Sequence, residues 1–196
     1  MLRRVLLFIS VMFAAVSTAQ AFDHKVWDDL LQRHVVVIDG GQITQTDYAG
    51  FQRQRQDLKR YLNSVSTVSQ TAFDNWSSDE QLAFLINAYN AWTVELILSK
   101  YPDLNSIKDL GGFFSSPWKK AFIPLFDREV SLDHIEHDLI RGSNHYNEPR
   151  IHFAVNCASI GCPALRNEAY TAALLEQQLE EQTQLFLQDK SRNRLQ

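Results

Sequence analysis

The sequence predicts an α+β domain, predominantly helical, in which a central buried helix packs against a small antiparallel sheet or hairpin. Residues 78–100 carry apolar side chains on nearly every side of a helical wheel, which is typical of a buried helix. Short apolar or β-branched runs beside turn residues predict strands too few for more than a small sheet. The 196-residue chain shows no internal repeat or Pro/Ser-rich linker, so we expect residues 22–196 to form a single globular domain.

The first 21 residues have the pattern of a cleavable signal peptide. Arg3 and Arg4 precede an apolar run over residues 5–16, and Ala19 and Ala21 form an A-x-A cleavage site. The apolar run is shorter than the roughly 20 residues that cross a bilayer, which favours cleavage over an uncleaved anchor. The sequence therefore predicts a periplasmic or secreted protein that begins at Phe22 after processing.

The charge pattern argues against a polyanionic partner. The signal segment contains two arginines and no acidic residue, so its removal changes the formal net charge from −4 to −6. The processed chain has no basic run and no second stretch apolar enough to span a membrane, so we expect neither nucleic acid nor a membrane span. The expected partner is an unidentified small molecule or a peptide-like substrate. No Gly-rich phosphate loop or zinc-like spacing is present, so we predict no cofactor and no metal.

The N-terminal half alternates short elements. Residues 24–35 have the period of a helix, and β-branched runs at 35–38 and 43–46 flank a turn at Asp39-Gly40-Gly41. Asp47 is then a candidate N-cap for a helix that ends near Asn63.

The C-terminal half begins with the most strongly predicted element. Ser77 or Ser78 can cap the 78–100 helix, with an acidic or amide residue three positions later. The remaining expectations are an irregular segment at 103–120, a hairpin from 122–126 and 129–132, a helix from Ser131 to Arg141, and an amphipathic helix over 168–187.

Glu136 is the first of three places that break the local pattern. On the 131–141 helix it falls within an apolar arc that contains Leu132 and Ile140, and His137 follows at its edge. Carboxylates are rarely buried without a partner. Glu136 and His137 could therefore form a polar site inside the core, or Glu136 could be a structural carboxylate bonded to main-chain N–H groups or an arginine.

Asn87 and Asn90 are the second place. They lie three residues apart on the central helix and so share a face with apolar neighbours. Buried amides need partners for both the oxygen and the NH₂ group. They could orient an imidazole or donate to an oxyanion, although we favour the interpretation that they hold a loop against the core.

The two cysteines are the third place. Cys157 follows an apolar run, either a strand or a helical turn, and Cys162 lies five residues later beyond Gly161. A structural Cys157–Cys162 disulfide is the expectation for an exported protein, because the glycine allows the turn that would close it. The alternative is a reactive Cys157 thiol at the junction of an element and a turn, with His137 or His152 as its base.

These positions coincide with motifs of a known family. Residues 83–91 (AFLINAYNA), 135–137 (IEH), 152–159 (HFAVNCAS) and 162–166 (CPALR) resemble the domain of unknown function family 547. The resemblance runs from about Ser78 to the C-terminus and implies an exported bacterial protein, but it implies no activity. It also implies a shortened C-terminus, since members of the family continue beyond a segment like 189–195.

The leading functional hypothesis from the sequence is a thiol-dependent hydrolase or acyl transferase. Cys157 would be the nucleophile, His137 the base and Glu136 the group that orients or charge-balances the site. Asn87 or Asn90 would donate to an oxyanion, and Arg166 would anchor an anionic substrate.

The alternative hypothesis is a non-catalytic periplasmic binding or structural module. In that interpretation the same polar residues form a buried network that fixes the fold, and a disulfide closes the 157–162 turn. Thiol–disulfide exchange is the weakest hypothesis, because the spacing differs from C-x-x-C.

Overall fold

The computed structural model describes residues 21–38, 40, 42–112, 116–159 and 161–193, and it has the predicted class, an α+β fold that is predominantly helical. The predicted signal peptide, apart from Ala21, lies outside the described residues, as do Asp39 and Gly41 of the predicted turn.

The N-terminal half contains a helix, a hairpin and three further helices. In chain order they are α1 (Lys25–His34), β1 (Val35–Ile38), β2 (Ile43–Thr46), α2 (Tyr48–Arg53), α3 (Arg55–Ser66) and α4 (Gln70–Asp74). The first helix, both strands and the cap are confirmed: the Asp47 carboxylate accepts a hydrogen bond from the Gly50 N–H at 2.9 Å.

The single helix predicted from Asp47 to Asn63 is wrong, because the chain forms α2 and α3 with a break at Gln54. The Gln54 main chain leaves the helical region, and its side-chain Oε1 lies 2.6 Å from His34 Nε2. This contact with α1 is a tertiary interaction that helical periodicity does not reveal. The short helix α4, capped by Ser69, was not predicted.

The C-terminal half is built around one long helix. Its elements are α5 (Ser78–Leu98), short 3₁₀ turns at Ile107–Leu110 and Pro117–Lys119, β3 (Ile123–Leu125), β4 (Arg128–Val130), a π-helix (His134–Arg141), α6 (Ile151–Ala154), a 3₁₀ turn at Ala172–Leu174 and α7 (Leu175–Gln188). The predicted hairpin is confirmed as the antiparallel pair β3–β4, and β1 pairs antiparallel with β2. The helix predicted to start near residue 168 starts only at Leu175.

The helix α5 is the centre of the core, as its pattern predicts. Ser77 and Glu80 form a reciprocal capping box at its start. Most of its side chains are buried, and it packs against α2, α3, the π-helix and the 3₁₀ turn before α7. The buried apolar side chains form one cluster that extends from Trp27 in α1 to Leu179 in α7. Within the described ranges, no helix combines the length and the apolar character that crossing a bilayer requires.

Candidate functional site

Glu136 lies at a junction of three elements. The residue belongs to the π-helix, whose i→i+5 geometry is rare and frequent at functional sites. Its carboxylate Oε1 lies 3.6 Å from Nδ1 of His152 on α6 and 4.0 Å from Nδ1 of His137. The Glu136 side chain is 14% exposed, whereas the two imidazoles are 46% and 47% exposed. The site therefore has a largely buried carboxylate beneath two rings that solvent can reach.

Tyr89 of α5 supports this carboxylate from the core. Its hydroxyl hydrogen-bonds to Glu136. Burial is the main cause that raises the pKa of Tyr89 well above its usual range, and the negative charges of Glu136 and Asp133 act in the same direction. Tyr89 thus stays protonated and donates to Glu136. Sequence analysis missed this residue, because a tyrosine in an apolar helix gives no signal of a polar partner.

The two imidazoles have different surroundings. His137 Nδ1 lies 3.0 Å from Nη1 of Arg141, and because a guanidinium can only donate, this ring nitrogen acts as the acceptor. His152 Nδ1 faces the Glu136 carboxylate, the arrangement in which a carboxylate orients a ring and leaves Nε2 available for proton transfer. The contacts therefore favour His152 over His137 as a base.

The two cysteines are bonded to each other. The Cys157–Cys162 disulfide spans a Cα–Cα distance of 5.9 Å and closes a half-exposed turn. Asn156 closes the same turn a second time: its Nδ2 donates to the Pro163 carbonyl at 2.6 Å, and its Oδ1 accepts from the Ala158 N–H at 2.9 Å. The preceding segment is the helical turn α6 rather than a strand. In this state neither sulfur is a thiolate.

Asn90 and Asn87 direct their amides to main-chain groups. Asn90 donates to the Ala154 carbonyl at 3.0 Å and accepts from the Asn156 N–H at 2.8 Å. Asn87 donates to the Tyr170 carbonyl at 2.7 Å and accepts from the Tyr170 N–H at 3.0 Å. Both amides are buried, and in each the oxygen and the NH₂ group have a partner. These contacts correspond to the loop-holding interpretation.

Arg166 is surrounded by carboxylates. Its Nε lies 2.6 Å from Glu168 Oε1, its Nη2 also bonds Glu168, and the same Nη2 lies 2.7 Å from Glu181 Oε2. The Arg166 side chain is largely buried. Its charge is therefore balanced within the protein, and an anionic substrate would have to compete with two carboxylates.

The same principle explains the irregular segment 163–171, which we call the strap. Much of it is buried without a helix or strand to satisfy its main chain, and side chains of other elements supply the hydrogen bonds instead. Besides Asn87, these bonds come from Thr44 to Leu165, Gln182 to Ala164, Asp28 to Ala169, and Gln178 to Ala169 and Thr171. The polar residues that break the apolar pattern thus mostly hold this segment.

The predicted site residues do not form a single constellation. Glu136 contacts His137 and His152, while Cys157, Asn87, Asn90 and Arg166 have their own partners as described above. Among the residues that the structure describes, no group of three or more His, Cys, Asp or Glu side chains has the arrangement to hold a metal ion.

Comparison with known proteins identifies the family but no activity. A family profile described as "Protein of unknown function, DUF547" matches residues 73–187, which include α5, the π-helix, the disulfide turn, the strap and most of α7. No curated protein and no solved structure matches the chain. Because the match covers more than half of the sequence and contains the motifs around Asn87, Glu136 and Cys157, this chain belongs to the DUF547 family.

Proposed function

We propose that this chain works outside the cytoplasm as a non-catalytic binding or structural module. One observation carries the proposal: the groups that a thiol hydrolase would use are engaged within the protein. Cys157 is in a disulfide, Asn87 and Asn90 bond main-chain groups, and Arg166 is paired with two carboxylates. Side chains already held in this way stabilise a fold better than they stabilise a transition state, which needs free donors.

Export is part of this proposal. Disulfides persist in oxidising compartments, and the N-terminal pattern of the sequence is that of a signal peptide. Phe22, the expected first residue of the processed chain, packs its ring against Phe84 and Trp76, with centroid distances of 5.0 and 6.1 Å. Cleavage after Ala21 would leave these contacts intact. Intact-mass analysis of protein recovered from the periplasm should give a chain that starts at Phe22, and an unprocessed cytoplasmic chain would contradict export.

The test of the non-catalytic proposal is the accessibility of the thiols. Iodoacetamide added to the native protein without reductant should leave its mass unchanged. After reduction and unfolding, both Cys157 and Cys162 should be alkylated. Rapid modification of Cys157 in the native, unreduced protein would overturn the proposal.

A thiol-dependent hydrolase or acyl transferase remains the second candidate, because of the contact between Glu136 and His152. In that mechanism a reductant first opens the disulfide. His152 then takes the proton of the Cys157 thiol, the thiolate attacks an acyl carbonyl, and the proton passes to the leaving group. Water, or another acceptor, finally releases the acyl group.

Single-cysteine variants separate the two candidates. The C162S variant frees Cys157, and the C157S variant frees Cys162 as a matched control in the same turn. A hydrolase should show faster alkylation of Cys157 than of Cys162 near neutral pH, and His152→Gln should slow it several-fold. Equal rates that do not respond to His152→Gln would support the binding module.

A further inference from the structure

A cavity of about 610 Å³ lies beside the N-terminal turn of α1, in the size range of small-molecule sites. Its apolar walls come from the segment that leads into α7 and from α5, and include Phe22, Ala83, Ala172 and Leu174. Leu174 is 47% exposed, which is unusual for a large apolar side chain that nothing else explains. The described lining does not include the Glu136 site or the disulfide, so the cavity is separate from both.

Carboxylates dominate the charge of the lining. Asp23, Asp28 and Glu80 each accept hydrogen bonds from main-chain N–H groups or neutral side chains, and among the described residues none of the three has a cationic partner. Glu168, also in the lining, is paired with Arg166. The single lysine of the lining, Lys25, has its ammonium 3.0 Å from a carboxylate outside the cavity. The cavity therefore holds an uncompensated negative charge.

A buried imidazole also lines the cavity. His24 is only 9% exposed, and its Nδ1 lies 2.8 Å from the hydroxyl of Tyr61, a residue outside the cavity lining. Its Nε2 has no hydrogen-bond partner among the described residues. Burial lowers the pKa of His24 to about 4, against the opposing charge of Asp23, so the ring is neutral at physiological pH. A neutral ring whose Nδ1–H donates to Tyr61 has an acceptor lone pair on Nε2.

We infer that this cavity binds a primary ammonium group carried on a small apolar body. The carboxylates would supply the charge, His24 Nε2 would accept an ammonium hydrogen, and the apolar walls would cover the body of the ligand. The inference rests on the proposed function, since it names the ligand class of the binding module. A free amine and the amino terminus of a peptide share this chemistry.

The experiment is a calorimetric titration of the protein purified after expression with its own leader, with the N-terminus verified by intact mass. The probes are benzylamine, for a free amine, and phenylalaninamide, for a peptide amino terminus. Benzyl alcohol and N-acetylphenylalaninamide are the matched neutral controls, and benzoate is the anionic control. At least one amine should bind about tenfold more tightly than its neutral control, equivalent to about 1.4 kcal/mol. The tighter amine identifies the source.

Two variants test the place of binding. Asp23→Asn removes one exposed carboxylate and should weaken amine binding several-fold, whereas Asp103→Asn, an exposed carboxylate elsewhere, should not. Ala172→Trp fills the cavity and should abolish binding, with an unchanged circular dichroism spectrum as the check of folding. Equal affinity for amines and neutral controls, tighter binding of benzoate, or binding that survives Ala172→Trp would overturn the inference.

The outcome is independent of the thiol test. Unreactive thiols without amine binding would overturn this inference and leave the non-catalytic module standing. Amine binding with a reactive native Cys157 would do the reverse.

Discussion

At the scale of single residues, the buried amides are the clearest case of polar side chains used as structure. Asn87 and Asn90 each replace the partners that a regular element would have given to a buried main-chain N–H and C=O. A buried group without a partner costs far more than a hydrogen bond gains, which makes these amides hard to substitute.

Substitution Asn90→Ala should lower the free energy of unfolding by about 3 kcal/mol, because it leaves the Ala154 carbonyl and the Asn156 N–H unpaired. Urea unfolding monitored by circular dichroism measures the change. Asn63→Ala, an exposed helical asparagine on α3, is the matched control and should cost less than about 0.5 kcal/mol. Similar losses in the two variants would show that the Asn90 amide does not have this role.

His24 makes stability depend on pH. Its pKa is about 4 in the fold and 6.5 in the unfolded chain, mainly because burial disfavours the charged ring. The unfolded chain therefore binds the proton first, so stability is greatest above pH 6.5 and falls as the pH drops towards 4. Between pH 7 and pH 4.5 this group should remove about 2–3 kcal/mol.

The measurement is urea unfolding at the two pH values for the natural protein and for His24→Asn. The variant should lose about 2–3 kcal/mol less on acidification than the natural protein. His145→Gln, which changes an exposed histidine, should retain the full pH dependence. An identical slope for His24→Asn would mean that burial does not shift the pKa of this ring.

At the scale of elements, α5 and the π-helix show how far local patterns reach. The capping box and the apolar pattern of α5 are local, and both were predicted from the sequence. The widened geometry of the π-helix was not predicted, because an ordinary helix and a π-helix have the same residues in sequence. That geometry, together with the approach of α6, brings Glu136 within 3.6 Å of His152.

Ser77→Ala should destabilise the protein by about 1 kcal/mol, because the Glu80 N–H loses its acceptor at the start of the central helix. Ser77→Thr keeps a hydroxyl at the same position and should remain within a few tenths of a kcal/mol of the natural protein. Thermal unfolding at constant pH gives both values. A loss in the threonine variant equal to that in the alanine variant would argue against the capping role.

At the scale of the whole molecule, the strap is held by side chains from both ends of the chain. Asp28 of α1, Asn87 of α5 and Gln178 of α7 all bond its main chain, so the segment joins three helices that are distant in sequence. The disulfide sits at its N-terminal end, where Asn156 already closes the turn. The disulfide is therefore one of several constraints on this region.

Removal of both sulfurs in a C157S/C162S variant should lower the free energy of unfolding by about 2 kcal/mol, since short loops gain least from cross-linking. For a chain of this size the midpoint of thermal unfolding should fall by about 4–8 °C. Reductant should produce the same shift in the natural protein and none in the variant. Complete unfolding of the variant would show that the Asn156 bonds cannot hold the turn.

The sequence by itself determined the local features of this protein. The α+β class, the central helix with its cap, both hairpins and the family were predicted, because each depends on residues close together in the chain. The motifs also marked Asn87, Glu136 and Cys157 as unusual, since polar groups in apolar segments require partners.

Only the tertiary structure decided which partners these residues have. It placed His152 and Tyr89 on Glu136, broke the helix after Asp47 at Gln54, and delayed the last helix to Leu175, where the main chain is no longer bonded by the side chains that hold the strap. The physical reason is that a buried polar group must be satisfied by whichever donor or acceptor the fold brings near. That neighbour is usually far away in sequence, where no periodicity or spacing can identify it.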